Sequence, residues 1–163
     1  IENRHRPTAL ALTRQNVPTL DRSQFASAEG VQRGAYVLAD LGGGQPEVIL
    51  MASGSEVSLI VEAGKRLVEL GRSVRLVSFP SWELFAEQDQ AYRDSVLLPE
   101  VRARVAVEAG VSQGWRQWVG DQGRILALDR FGASAPGEVV FKMFGFTPER
   151  VAELALETLA PKG

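Results

Sequence analysis

The spacing of apolar positions changes repeatedly along the chain, and each change marks an element. Val48-Ile49-Leu50-Met51-Ala52 contains no polar position, the pattern of a strand buried on both faces. Val57, Ile60, Val61, Gly64, Leu67, Val68 and Leu70 then recur at helical spacing, and Gly71 sits where a helix closes with a left-handed residue. Ser73 to Phe79 alternates, with Val74, Leu76 and Val77 apolar, and Pro80 stops it. A strand–helix–strand unit of this length predicts a parallel pair. Ahead of it, Gly34 to Asp40 reads as a short strand, ended by the turn Gly42-Gly43-Gly44-Gln45-Pro46. Downstream, Ser81 to Leu97 predicts a helical connection, Arg104 to Glu108 a strand, Trp115 to Val119 a short amphipathic helix, and Ile125 to Leu128 another strand. Residues 130–137 read as a loop and Glu138 to Phe144 as helical. Thr147 and Pro148 open a last helix as N-cap and first helical residue, with Val151, Leu154, Ala155 and Leu159 on its apolar face. Strands alternating with helices predict an α/β fold, a three-layer α/β/α domain.

The amino end reads differently. Thr8 to Leu12 is a short apolar run leading into Thr13-Arg14-Gln15-Asn16, so residues 8–13 predict a strand that delivers an arginine to its end. Ligands bind at strand ends in open α/β sheets, and the planar guanidinium fork suits phosphate or carboxylate. No second strand follows at once to pair with it. Residues 16–30 are polar and broken by Pro18, Asp21, Ser23, Ser27 and Gly30, which predicts a linker with room for a short helical turn. The first residue is Ile1, with a strand-like run within ten residues of it, so a piece of a longer polypeptide is expected.

Composition narrows the function classes. The 163 residues carry a formal net charge of −2, which leaves no basic excess to neutralise a nucleic-acid backbone. With no cysteine and one histidine, a thiol nucleophile, a thiolate zinc site and a disulfide framework are excluded, and a reducing compartment fits. No apolar stretch approaches the ~20 residues that span a bilayer, and no signal-peptide pattern opens the sequence.

Candidate chemistry is sparse. Ser53-Gly54-Ser55-Glu56 links a strand to a helix, where backbone amides can hold an anion, but it lacks the lysine and spacing of a P-loop and reads rather as a plain capped turn. His5 lies between Arg4 and Arg6 in a charged, exposed segment. Among the carboxylates, Glu56, Glu83, Asp89 and Asp94 fall where helix surfaces are expected to be solvated. Glu108 and Asp129 each end an apolar strand, so they are candidates to share a crevice, against a structural role in capping or loop bracing. Trp82, Trp115 and Trp118 read either as a binding surface or as burial under the domain's own loops.

Read together, Thr13-Arg14-Gln15-Asn16, Arg33-Gly34-Ala35-Tyr36-Val37-Leu38, Ala52-Ser53-Gly54-Ser55-Glu56-Val57, Val77-Ser78-Phe79-Pro80-Ser81, Arg104-Val105-Ala106-Val107-Glu108-Ala109-Gly110 and Phe131-Gly132-Ala133-Ser134-Ala135-Pro136 occur in one order. That succession, from about Pro7 to Leu159, resembles the carboxyl-terminal part of transketolase. The resemblance implies a mostly parallel sheet of about five strands, one of them antiparallel. It also implies three segments: residues 1–17 as the end of an upstream pyrimidine-binding domain, 18–30 as a linker and 31–163 as the C-terminal domain.

The family's reaction moves a two-carbon ketol unit from a ketose phosphate to an aldose phosphate. It uses thiamine diphosphate and a divalent cation, Mg or Ca, in a cytoplasmic homodimer of the pentose phosphate pathway. The resemblance assigns to Arg14 the phosphate of the sugar substrate. No catalytic, cofactor-binding or metal-binding residue of the family falls within this chain, and His5 matches none of its catalytic histidines. The chain alone is expected to be inactive, with no cofactor, nucleic-acid or membrane partner. Deoxyxylulose phosphate synthases and the β chains of 2-oxo acid dehydrogenases share such a domain, but the Phe131–Pro136 stretch fits transketolase better. A stand-alone anion-binding regulatory module is the other reading.

Overall fold

A computed structural model describes residues 5–160; the outermost residues of the two expected terminal segments, 1–4 and 161–163, lie outside it. Five strands form one sheet: β1 (Tyr36–Leu41), β2 (Val48–Ala52), β3 (Val74–Ser78), β4 (Arg104–Val107) and β5 (Arg124–Leu126). Their spatial order is β1-β3-β2-β4-β5. β3, β2, β4 and β5 run parallel, and β1 pairs antiparallel with β3. Six α-helices accompany the sheet: α1 (Val57–Glu69), α2 (Trp82–Ala86), α3 (Gln90–Leu97), α4 (Arg116–Val119), α5 (Gly137–Met143) and α6 (Pro148–Leu159).

The two faces of the sheet make two cores. Along β2, Val48, Leu50 and Ala52 pack with Ile60, Val61 and Leu67 of α1 and with Val151 and Ala155 of α6. Ile49 and Met51 turn the other way, into Phe79, Phe85, Val96, Trp115 and Trp118. Every residue of β2 is buried, which is why its sequence shows no alternation. Neighbouring side chains on a strand face opposite layers, so a strand at the centre of a three-layer domain is apolar at each position.

Local signals hold at the helix ends. Gly71 has φ +75°, and its amide bonds the Val68 carbonyl as α1 closes. Ser81, Asp89 and Thr147 accept backbone N–H bonds from Leu84, Tyr92 and Arg150 at the starts of α2, α3 and α6. The expected linker is more structured than its composition implies. Phe25 is only 8% exposed and joins the core, the Ala26 amide bonds the Leu38 carbonyl, and a 3₁₀ turn spans Ala28–Arg33.

One predicted strand is absent. Residues 8–13 have no strand geometry and are exposed, with Leu10 at 80% and Leu12 at 82%. The apolar pattern is that of a strand, but a strand also needs a partner for its backbone groups. The two edges of the sheet are β1 and β5, and neither pairs with this segment.

Candidate functional site

In the strand order, β2 lies between β3 and β4, so the chain leaves β2 toward one side of the sheet and later returns on the other. That reversal opens a crevice at the carboxyl ends of β2 and β4, where open α/β sheets bind ligands. Ala52 of β2 lies opposite Val107 of β4, which sets the next residues, Ser53 and Glu108, side by side. Ser53 Oγ donates to Glu108 Oε2 at 3.1 Å. Neither Ser53 nor Ser55 caps α1; the 3₁₀ turn Gly54–Glu56 intervenes, and Ser55 Oγ donates to Glu56 Oε1 at 3.2 Å.

Glu56 is therefore not on a solvated helix surface, as its place in the sequence implied. It is 5% exposed, and burial pushes its pKa upward. The neighbouring Glu108 charge acts in the same direction, while its own amide, the Ser55 hydroxyl and the Ala109 amide oppose it. Glu108 is half-buried, and burial raises its pKa too, against the Ser53 hydroxyl and the indole of Trp115. That indole N–H favours the charged form of Glu108 without reaching hydrogen-bond geometry, and the Nε1 atoms of Trp115 and Trp118 are buried with no partner among the described residues.

Surface carboxylates contrast with this pair. Glu47, Glu87 and Glu157 each meet an arginine, and Asp40 accepts both Nε and Nη2 of Arg75. Among the described residues, no Lys or Arg reaches Glu56 or Glu108 within ion-pair distance. Two carboxylates at the Ser53–Ser55 turn also make it a poor anion site, which removes the support for a regulatory anion module.

The burial of Glu56 has a consequence for stability. A carboxylate whose folded pKa lies above its unfolded value holds its proton more tightly in the fold. Its contribution is complete below the unfolded pKa and is lost as pH rises through the folded one. Glu56→Gln is therefore expected to gain stability relative to the parent as pH rises from the ordinary carboxylate range toward and past neutrality. Thermal melts of both proteins across that range test this, and a difference independent of pH would refute it. Carboxylates held low by donors, such as Glu47 beside Ser73 and Arg72, act with opposite sign but cancel in the difference.

The other candidates separate. Asp129 does not face Glu108; it is exposed and accepts the Ser112 amide at 2.8 Å, so it braces a loop. Asp89 caps α3, Asp94 accepts Gln90 Nε2, and Glu83 accepts the Ser81 hydroxyl. His5 is exposed. Trp115 and Trp118 are buried, while Trp82 is half-buried beside the crevice. Arg14 lies at an exposed bend, with no guanidinium bond to a described residue. Its neighbours Gln15 and Asn16 line a cavity of about 520 Å³ with Ser58, Lys142 and Thr147. No group of three or more His, Cys, Asp or Glu suited to a metal occurs among the described residues. No described helix is long and apolar enough to cross a membrane.

Comparison with known proteins places this architecture. Residues 34–147 match the family model described as the transketolase-like TK C-terminal domain. Transketolase of Aquifex aeolicus is 48% identical over 157 residues, 96% of this chain, and that of Geobacillus stearothermophilus 50% over 151 residues, 93% of it. The chain spans about a quarter of these relatives, 23% of each. A solved transketolase from Pichia stipitis, in complex with sedoheptulose 7-phosphate, superposes with a TM-score of 0.79 at 38% identity, over 90% of this chain and 20% of that one. The same six motifs, the five-stranded sheet with its single antiparallel pair, and near-half identity over almost the whole length agree: the chain belongs to the transketolase family and carries its C-terminal domain.

Proposed function

We propose that this chain works as the C-terminal part of a transketolase, transferring a two-carbon ketol unit from a ketose phosphate to an aldose phosphate in the cytoplasm. The observation that carries this reading is the 48–50% identity to proteins of that name over 93–96% of the chain. Thiamine diphosphate with a divalent cation supplies the carbon-bond chemistry in such an enzyme. By resemblance to the family, the groups that hold it lie in the domains that precede the C-terminal one.

The domain's own contribution is then scaffolding and subunit contact in a homodimer. Leu10, Leu12 and Phe131, the last 95% exposed, are surfaces of the kind that neighbouring domains or subunits cover. Residues 1–17 act as the end of the pyrimidine-binding domain and 18–30 as the connection to the C-terminal domain of 31–163. In the assembled enzyme residues 8–13 complete a strand in that upstream sheet, and Arg14 at its end holds the substrate phosphate. A guanidinium binds phosphate through two parallel N–H bonds, which a lysine does not reproduce.

The test uses the full-length enzyme. Arg14→Ala is expected to raise KM for phosphorylated sugars about tenfold or more, the scale of one lost charge-assisted contact, and to change it little for unphosphorylated donors. Equal effects on both classes would remove the phosphate role. The 163-residue chain by itself is expected to show neither ketol transfer nor calorimetric binding of thiamine diphosphate.

A further inference from the structure

The crevice at the carboxyl ends of β2 and β4 continues outward into a cavity of about 530 Å³. Glu108 lines it, together with Trp82, Trp115, Gln113 and Gly114. The two indole rings meet edge to face, with centroids 5.2 Å apart and planes at 83°. Trp82 is seated directly on the backbone of Gly114: a Cβ there would lie 2.3 Å from the ring, so only glycine lets the indole take this position.

We propose that this cavity binds a small organic cation, an alkylammonium or guanidinium group, with Glu108 as its counter-ion and the half-buried ring of Trp82 as its wall. Three observations carry the assignment. Glu108, half-buried at the switch point near the buried Glu56, lines the cavity, and no side-chain cation reaches either carboxylate among the described residues, although exposed carboxylates elsewhere do meet arginines. The Ser53 hydroxyl and the Trp115 indole N–H both favour the charged form of Glu108, against the burial that on balance raises its pKa. An aromatic wall beside a carboxylate is the chemistry that recognises alkylated cations, which lose little hydration against a π face. Elsewhere in the molecule aromatic faces already hold cations, Arg33 over Tyr92 at 4.5 Å and Arg130 over Phe144 at 5.4 Å, but no described arginine or lysine stands over Trp82 or Trp115. The burial that raises both carboxyl pKa values is relieved when a positive charge enters.

The test is a titration of the 163-residue chain with methylguanidinium, followed through its three tryptophan indole N–H resonances, with methylurea as the neutral isostere and sodium chloride as the ionic-strength control. A saturable shift of the Trp82 and Trp115 signals is expected with methylguanidinium alone. Glu108→Gln and Trp82→Ala should each weaken binding about tenfold, the effect of losing one charge-assisted or cation–π contact. Absence of saturation would mean that only a proton neutralises the acidic pair, and would overturn the proposal. So would equal shifts with methylurea, or unchanged affinity in Glu108→Gln. The comparison with methylurea is made on the unaltered chain, so it decides the question even where a variant fails to fold.

Discussion

Replacing Arg104 by methionine is expected to lower the stability of the fold by about 3 kcal/mol, and the melting temperature by about 6–12 °C. Arg104 opens β4, and its guanidinium is half-buried between the sheet and the loops that flank it. It donates to four backbone carbonyls: Val101 through Nε, Trp118 through Nη1, and Leu97 and Leu98 through Nη2, at 2.8–3.2 Å. Burial lowers its pKa from that of a free guanidinium, with Arg102 adding to the effect and Glu100 opposing it, and an arginine fork stays charged in a protein. Methionine matches the volume of the stem and donates nothing. If two of the four carbonyls remain dry, at about 1–3 kcal/mol each, the loss reaches the stated size.

Leu98 makes the case specific. It has φ +42°, the only positive φ of a non-glycine among the described residues, and its carbonyl is held by both Arg104 and the Val101 amide. Losing the guanidinium frees a backbone conformation that costs about 1 kcal/mol or more for a branched side chain. Amide exchange at Val101 should therefore accelerate beyond the global change. Arg104→Lys keeps the charge but lacks the planar fork, so it should recover only part of the loss. Stability within 1 kcal/mol of the parent in the methionine variant would show that water replaces these bonds.

Trp115→Ala is expected to cost about 3–5 kcal/mol, a fall of roughly 6–20 °C in melting temperature. Trp115 is completely buried and meets Phe79 and Trp82 edge to face, with ring centroids 5.6 and 5.2 Å away. Phe79 in turn touches Phe85 and Trp118, so one truncation opens a cavity at the centre of an aromatic cluster. Trp115→Phe should cost clearly less than Trp115→Ala. Phenylalanine leaves a smaller void and removes an indole N–H that has no hydrogen-bond partner. Chemical denaturation of the three proteins checks the order, and a phenylalanine variant as unstable as the alanine one would mean that the indole N–H contributes through Glu108.

The central elements were legible in the sequence because their signals are local. The unbroken apolar run of β2, the helical spacing of α1, and the caps Gly71 and Thr147 depend on residues within one or two turns of each other. The strand predicted at residues 8–13 does not form within the described chain, for the opposite reason. Its pattern is correct, yet β pairing is a long-range interaction, and the described chain provides no strand for it. Composition predicts a linker at residues 16–30 but not the burial of Phe25, which depends on what the sheet presents to it.

By itself the sequence determined the α/β class, the order of the elements, the absence of thiol chemistry and, through six motifs, the family. Only the tertiary structure decided which carboxylates meet. Glu56 and Glu108 are 52 positions apart and looked like a solvated helix residue and a strand end. Their meeting follows from the order β3-β2-β4, which places the end of β2 beside the end of β4. Glu108 and Asp129, nearer in sequence and similar in pattern, do not meet, because Asp129 turns to the Ser112 amide. Periodicity tells a residue's side of its own element. Which other element shares that side is set by sheet order and register, and these are fixed only when the whole core packs.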